Sequence, residues 1–238
     1  ARVFPVASGN VRLYIETVGI AIAPTPVVGG VGLIEDLDKV ATLKGAQAGD
    51  VLILIGETKG HLGASLYARE ILGLDGDEAG PPPPVDLEAE KKNADFVRDL
   101  IERGLGIAVH DVSDGGVACA AAEMALAANL GFDTKFEPFD LTAHFGELGG
   151  RILVAAHPNK WLKIMERGSE IGIDARNVYA NFYLPGVDQI QFVEWDRPLD
   201  LKHSKDDLPK VVREDTISLS RIREAHEDWL PTYMSKVD

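Results

Sequence analysis

The stretch GIAVHDVSDGGVACAAAEMALAANLG, residues 106–131, constrains the fold of this chain more than any other. It opens on a short apolar run with the character of a strand, passes through a Ser-Asp-Gly-Gly turn, and continues as an alanine-rich run long enough for about four helical turns. A strand that feeds straight into a helix through a glycine turn belongs to a layered α/β architecture. The same grammar appears upstream. GDVLILIGET (49–58) holds five apolar residues between Asp50 and Gly56, the pattern of a strand buried on both faces. HLGASLYAREILG (61–73) then spaces Leu62, Leu66, Ile71 and Leu72 as a helix that stops at Gly73.

The remaining segments extend this order. LDGDEAGPPPPVDLE (74–88) is a stiff connection, because four consecutive prolines can enter neither a helix interior nor a central strand. From Asp86 to Gly104 the pattern is an amphipathic helix with Phe96, Val97, Leu100 and Ile101 on one side. FDTKFEPFDL (132–141) and RILVAAHP (151–158) read as strands, and NKWLKIMERGSEIG (159–172) reads as a helix. SRIREAHEDWLPTYM (220–234) is amphipathic, with Trp229, Leu230 and Tyr233 expected to pack it on the body. At the other end, ARVFPVASGNVRLYIET (1–17) reads as strand, turn and strand that open as if inside a domain, and residues 18–37 suggest two short strands around a proline-rich crossover. This mixture excludes a helical bundle and a sandwich and predicts a mixed α/β (α+β) sheet carrying helices.

Charge narrows the partners. With 24 Lys+Arg against 38 Asp+Glu the net charge is −14, so nucleic acid or an anionic membrane cannot be held by a general positive field, and any phosphate must be gripped locally. At 45% hydrophobic and 26% charged residues the composition is that of a soluble globular protein. No apolar run approaches the roughly 20 residues needed to span a bilayer. The first residues lack the pattern of a signal peptide. The single cysteine, Cys119, cannot form an internal disulfide, which makes the cytoplasm the expected compartment.

Three turns could carry chemistry. In VHDVSDGG (109–116), Ser113 or Asp114 can cap the helix, while Gly115 and Gly116 let backbone N–H groups approach an anion; the alternative is a well-capped helix and nothing more. In PVASGNVRLYIET (5–17), Gly9 removes a side chain where a ligand could lie close and Asn10 offers a neutral oxygen suited to Mg²⁺, or the three residues Ser-Gly-Asn are simply a good turn. In FGELGGR (145–151), Glu147 could bind a metal or an amine and Arg151 a phosphate, or the two form a surface ion pair. Cys119, inside VACAAAEM, reads as a small buried thiol and not a nucleophile. The six histidines show no metal-ligand spacing, and HExxH, CxxC and GxSxG are absent, which argues against zinc enzymes, thiol proteases and serine hydrolases.

Taken in order, PVASGNVRLYIET, APTPVVGGVGLIEDLDK, GDVLILIGETKGHLGASLYAREILG, VHDVSDGGVACAAAEMAL and REAHEDWLPTYM resemble the C-terminal part of the phosphoribosylformylglycinamidine synthase family, small synthetase subunit type, within the superfamily of aminoimidazole ribonucleotide synthetase. The resemblance implies the last strands of an A-type domain over residues 1–35 and a three-layer α-β-α B-type domain over 36–238. It implies an ATP-dependent ligase of purine biosynthesis that converts formylglycinamide ribonucleotide to formylglycinamidine ribonucleotide with Mg²⁺. Ammonia would come from a glutaminase subunit, with a small accessory subunit as a further partner. By resemblance Gly9 meets the nucleotide, Asn10 binds Mg²⁺, and Arg12, Ser113, Asp114, Gly115 and Gly116 meet the substrate; no catalytic residue falls in this chain. The expectation is a segment that is inactive alone, since the half of the family that carries its catalytic histidines is not represented.

The departures from the family pattern are specific. Arg12 stands where the family usually has serine, a bulky cation in place of a hydroxyl that could either grip a phosphate or block the pocket; Ile15 stands where the family has asparagine, and Leu148 and Gly149 replace the polar residues after FGE. Residues 177–210 fit the family poorly. Two other classes stay open: a non-catalytic nucleotide-binding or assembly module, and a sibling ATP-dependent ligase or kinase, against which the segments APTPVVG and REAHEDWLP speak.

Overall fold

A computed structural model describes residues 16–17, 19–21, 29–58, 61–136, 140–179, 187–195, 210–228, 231–232 and 235. The chain divides into two units, Ala1–Asp38 and Lys39–Asp238. In the first, strands β1 (Glu16–Thr17) and β2 (Ile20–Ala21) pair antiparallel around Gly19. Gly9, Asn10 and Arg12 lie outside the described residues, as do Trp229, Leu230 and Tyr233.

The second unit is organised by β3 (Val51–Ile55), whose five side chains are all buried. It is followed by α1 (Leu87–Glu102), β4 (Ala108–Asp111), α2 (Gly116–Ala128), β5 (Phe132–Phe136), α3 (Leu141–Phe145), β6 (Ile152–Ala156), α4 (Trp161–Glu170), β7 (Ala175–Tyr179), β8 (Gln189–Trp195), β9 (Val211–Ser218) and α5 (Leu219–Glu227). The main sheet has the order β4-β6-β3-β7, with every neighbouring pair antiparallel. Alternation along β3 sends its side chains to two cores. Val51, Ile53 and Ile55 pack with Phe96, Val97 and Leu100 of α1 and Ile164 of α4, while Leu52 and Leu54 pack with Ala120, Ala121 and Met124 of α2. Helices therefore cover both faces, giving the expected three layers. Each fully buried large side chain contributes about 1.5–3 kcal/mol of transfer free energy, which explains why the apolar stripe of α1 and not its charged face sets its orientation. A second sheet, β5-β8-β9, has β5 parallel to β8 and β8 antiparallel to β9, and its Phe132 and Ile190 extend the α2 core.

The structure corrects the sequence reading in three places. Residues 61–73 do not form a full helix: a short π-helical turn, Tyr67–Ile71, is all that is regular, and Ile71 and Leu72 are exposed. Within the run FDTKFEPFDL the described residues form a strand over Phe132–Phe136, and Leu141 already belongs to α3. At α2 the N-cap is Gly115, with no side-chain cap from Ser113 or Asp114, whereas Asp86 caps α1, its Oδ1 accepting from the N–H groups of Glu88 at 3.1 Å and Ala89 at 2.9 Å. Among the described residues no helix is long and apolar enough to cross a membrane.

Candidate functional site

The register of the main sheet brings three loops to one edge. Ile55 at the end of β3 and Asp111 at the end of β4 both pair with Ile152 at the start of β6. The loop after β3, the Ser113–Gly116 turn after β4 and the FGELGGR segment before β6 therefore converge. In open sheets that carry helices, loops gathered at one end of the strands are where a site is built.

Each side of this corner is held by its own local chemistry. Gly115 and Gly116 take φ +76° and +71°, a conformation that carries no Cβ penalty only in glycine. The space is as restrictive as the torsions: a Cβ on Gly115 would stand 2.4 Å from Cys119 Sγ, and one on Gly116 would stand 2.6 Å from the His144 carbonyl oxygen. On the β3 side, buried Ser65 donates to the Leu62 carbonyl at 2.6 Å and accepts from the Ala68 N–H at 3.1 Å. His61 Nδ1 accepts from the Gly63 N–H at 3.1 Å. Tyr67 and Phe145 stack their rings at 5.4 Å across the two loops.

Glu147 joins the loops. Its Oε1 accepts from the Leu66 N–H at 2.8 Å and from the Gly115 N–H at 2.7 Å. The Gly116 N–H donates to the Ser113 carbonyl at 3.1 Å. Arg151, which is 2% exposed, donates from Nε to the Leu148 carbonyl at 3.1 Å and from a terminal nitrogen to the Gly146 carbonyl, so it secures the backbone on both sides of Glu147 from beneath. The two residues singled out in FGELGGR thus serve the architecture of the corner and are not an exposed pair. Ser113 and Asp114 point outward and are exposed. Asp114 also acts on the exposed Arg69 guanidinium, which Glu70 holds at 2.7 Å.

Electrostatics behind the turn are set by burial and one strong bond. His110 Nε2 and Glu123 Oε2 lie 2.6 Å apart, linking β4 to α2; this bond raises the His110 pKa above 6.5 and lowers that of Glu123 below 4.5. Nothing in the residue spacing of the sequence announces this pair. Burial keeps His144 neutral, lowering its pKa to about 4. Cys119 is exposed, contrary to expectation. Its thiol opens onto an apolar groove of about 360 Å³ lined by Phe132, Phe145, Phe192, Ile217 and Arg221, and desolvation there, with Glu123 and Glu147 adding, raises its pKa. A thiol held protonated is a poor nucleophile. Among the described residues no group of three or more His, Cys, Asp or Glu is placed to hold a metal ion.

The family described as AIR synthase related protein, C-terminal domain, matches residues 47–176, more than half of the chain. The chain belongs to this family. It is 42% identical over 234 residues to the phosphoribosylformylglycinamidine synthase subunit PurL of Rhodopseudomonas palustris (strain BisB5), covering 97% of this chain and 28% of that protein. It is 45% identical over 236 residues to the same subunit of Caulobacter vibrioides, covering 98% of this chain and again 28% of the relative. The chain thus spans a little over a quarter of the length of these relatives. A solved structure of T. maritima PurL complexed with FGAR superposes with a TM-score of 0.55 over 80% of this chain and 36% of that one, at 18% identity, which shows the shared fold. The AIR synthase type of fold accounts for the three layers and the converging loops of the second unit.

Proposed function

We propose that this chain supplies the C-terminal domain, and the adjoining strands of an A-type domain, to an ATP-dependent carbon–nitrogen ligase, phosphoribosylformylglycinamidine synthase. The observation that carries the reading is an identity of 42% over 97% of the chain to a protein of that name. The reaction activates the amide oxygen of formylglycinamide ribonucleotide by transfer of a phosphoryl group from ATP, releasing ADP; ammonia then displaces inorganic phosphate to give the amidine. Such chemistry needs positioning and charge stabilisation more than a protein nucleophile. In this chain Ser113 and Asp114 would meet the phosphate or ribose of the substrate, Gly115 and Gly116 letting the turn approach it closely. Arg12 would meet the same substrate and Gly9 the nucleotide. Mg²⁺ would be held through Asn10; among the described residues no group of three or more His, Cys, Asp or Glu is placed to join it. Glutamine-derived ammonia would come from a glutaminase subunit with a small accessory subunit, and the chain, acting with the rest of the enzyme, would not turn over alone. The cytoplasm is the proposed compartment.

Titration calorimetry tests the reading directly. Saturable binding of ADP with Mg²⁺ that is lost in Asn10→Ala, together with binding of formylglycinamide ribonucleotide weakened about tenfold in Ser113→Ala, is expected. Silence towards both ligands would refute a ligand-binding role and leave an assembly module.

A further inference from the structure

The corner described above spends its hydrogen-bond donors in an unexpected way. A helix N-terminus attracts phosphate because its first N–H groups point outward without partners. Here the Gly115 N–H is already donated to Glu147 Oε1 at 2.7 Å and the Gly116 N–H to the Ser113 carbonyl at 3.1 Å. The same Glu147 oxygen takes the Leu66 N–H at 2.8 Å, so the carboxylate is anchored from two loops and is not a side chain that swings away freely. Its own loop is fixed in turn by Arg151, through the carbonyls of Gly146 and Leu148, and by the Gly146 N–H donated to the Thr142 carbonyl at 3.1 Å.

Charge points the same way. A phosphate at the turn would face the carboxylates of Glu147 and Asp114. Of the neighbouring cations among the described residues, Arg151 is buried beneath the loop and Arg69 is exposed but held by Glu70. Ser113 and Asp114 are left exposed, and a carboxylate or hydroxyl oxygen there accepts hydrogen bonds. We propose that Glu147 is a specificity-determining residue: it closes the Ser113–Gly116 turn to phosphate and reserves it for hydrogen-bond donors of the substrate, such as ribose hydroxyls. The proposal rests on the reading that this turn meets the substrate and narrows which part of it.

The test uses the full chain labelled with ¹⁵N and titrated with inorganic phosphate, followed at the Gly115, Gly116 and Leu66 amides. In the wild type these resonances stay in place up to about 100 mM phosphate, whereas Glu147→Ala frees the Gly115 N–H and gives a saturable shift, with phosphate bound at least about tenfold more tightly. Glu147→Gln keeps an acceptor and removes the charge, so it retains the fold if the alanine variant does not, and it shows a gain of a few-fold. A saturable shift of Gly115 in the wild type, or no gain in either variant, overturns the proposal. A second arm compares formylglycinamide ribonucleotide with its dephosphorylated riboside: Asp114→Asn weakens both by the same factor if the turn reads hydroxyls, and strengthens the phosphorylated ligand selectively if the turn lies against phosphate. If the wild type binds neither ligand, the synthetase reading fails, while the phosphate titration still decides the role of Glu147.

Discussion

Breaking the His110–Glu123 bond should change stability in a way that depends on pH with a defined sign. The two side chains meet at 2.6 Å, with Asp111 Oδ1 3.3 Å from the other ring nitrogen of His110. The bond to Glu123 raises the His110 pKa above 6.5 against the opposing effect of burial, so the contribution of His110 is complete below pH 6.5 and is lost as pH rises through its folded value. The same bond lowers the Glu123 pKa below 4.5, with the charge of His226 adding, so the contribution of Glu123 is complete above pH 4.5 and is lost as pH falls through its folded value. The pair is therefore worth most between pH 4.5 and 6.5. A charge-assisted bond of this kind is worth up to about 3 kcal/mol when well buried. The His110 side chain is 15% exposed but that of Glu123 is 38% exposed, and solvent screening brings the expectation down to about 1–2 kcal/mol. A neutral imidazole still donates to the carboxylate, so roughly 0.5 kcal/mol survives at high pH. A double-mutant cycle of His110→Gln and Glu123→Gln, read by urea denaturation at about pH 5.5 and about pH 8.5, isolates the coupling from the other titrating groups. A coupling energy that is equal at the two pH values, or larger at the alkaline one, refutes the reasoning.

His144 supplies the opposite pH dependence. Burial holds its pKa at about 4, so the unfolded chain takes up a proton below its ordinary 6.5 while the folded chain does not. Stability should fall by roughly 1.4 kcal/mol per pH unit across that interval from this group, a slope that His144→Gln removes from urea midpoints measured between about pH 7 and 4.5. The glycine turn offers a paired test. Gly116→Ala forces a Cβ to within 2.6 Å of the His144 carbonyl oxygen at φ +71° and should cost more than about 2 kcal/mol, whereas Gly149→Ala meets nothing within 4 Å and should stay within about 0.5 kcal/mol in the same denaturation assay.

The parts of the fold that were legible in the sequence are those fixed by consecutive residues. The five apolar residues of β3 read as a strand buried on both faces because no other element of that length hides every side chain, and all five are buried. The stripe Phe96, Val97 and Leu100 read as the inner face of α1 because helical periodicity alone places those positions together, and they share one core. What failed depends on partners far along the chain. Leucine spacing suggested a helix over 61–73, yet the Leu66 N–H is taken by Glu147, 81 residues away, and the segment is fastened at that point to another loop. The helix cap was assigned to Ser113 or Asp114 because their side chains are the usual choice. The structure gives the cap to Gly115, because with its φ of +76° the chain turns so that the Gly115 N–H points at a carboxylate from a loop far along the chain. No window around residue 113 contains that carboxylate.

The same distinction governs the candidate site. Ser113, Asp114, Gly115 and Gly116 could be named from their pattern, but whether their N–H groups were available could not, because availability is decided by Glu147 and by the Arg151 anchorage beneath it. A net charge of −14 demanded that any phosphate be held by local groups. The geometry makes that demand stricter, since in the most conspicuous anion-binding motif of the chain the Gly115 N–H is answered by the chain's own carboxylate and the Gly116 N–H by the Ser113 carbonyl. An acidic side chain that satisfies two backbone N–H groups stabilises the corner and repels anions with the same atom. Structural support and ligand selection are then a single interaction at Glu147, so a substitution there should alter both together, whereas one at Ser113, exposed and outside the clasp, should alter ligand selection alone.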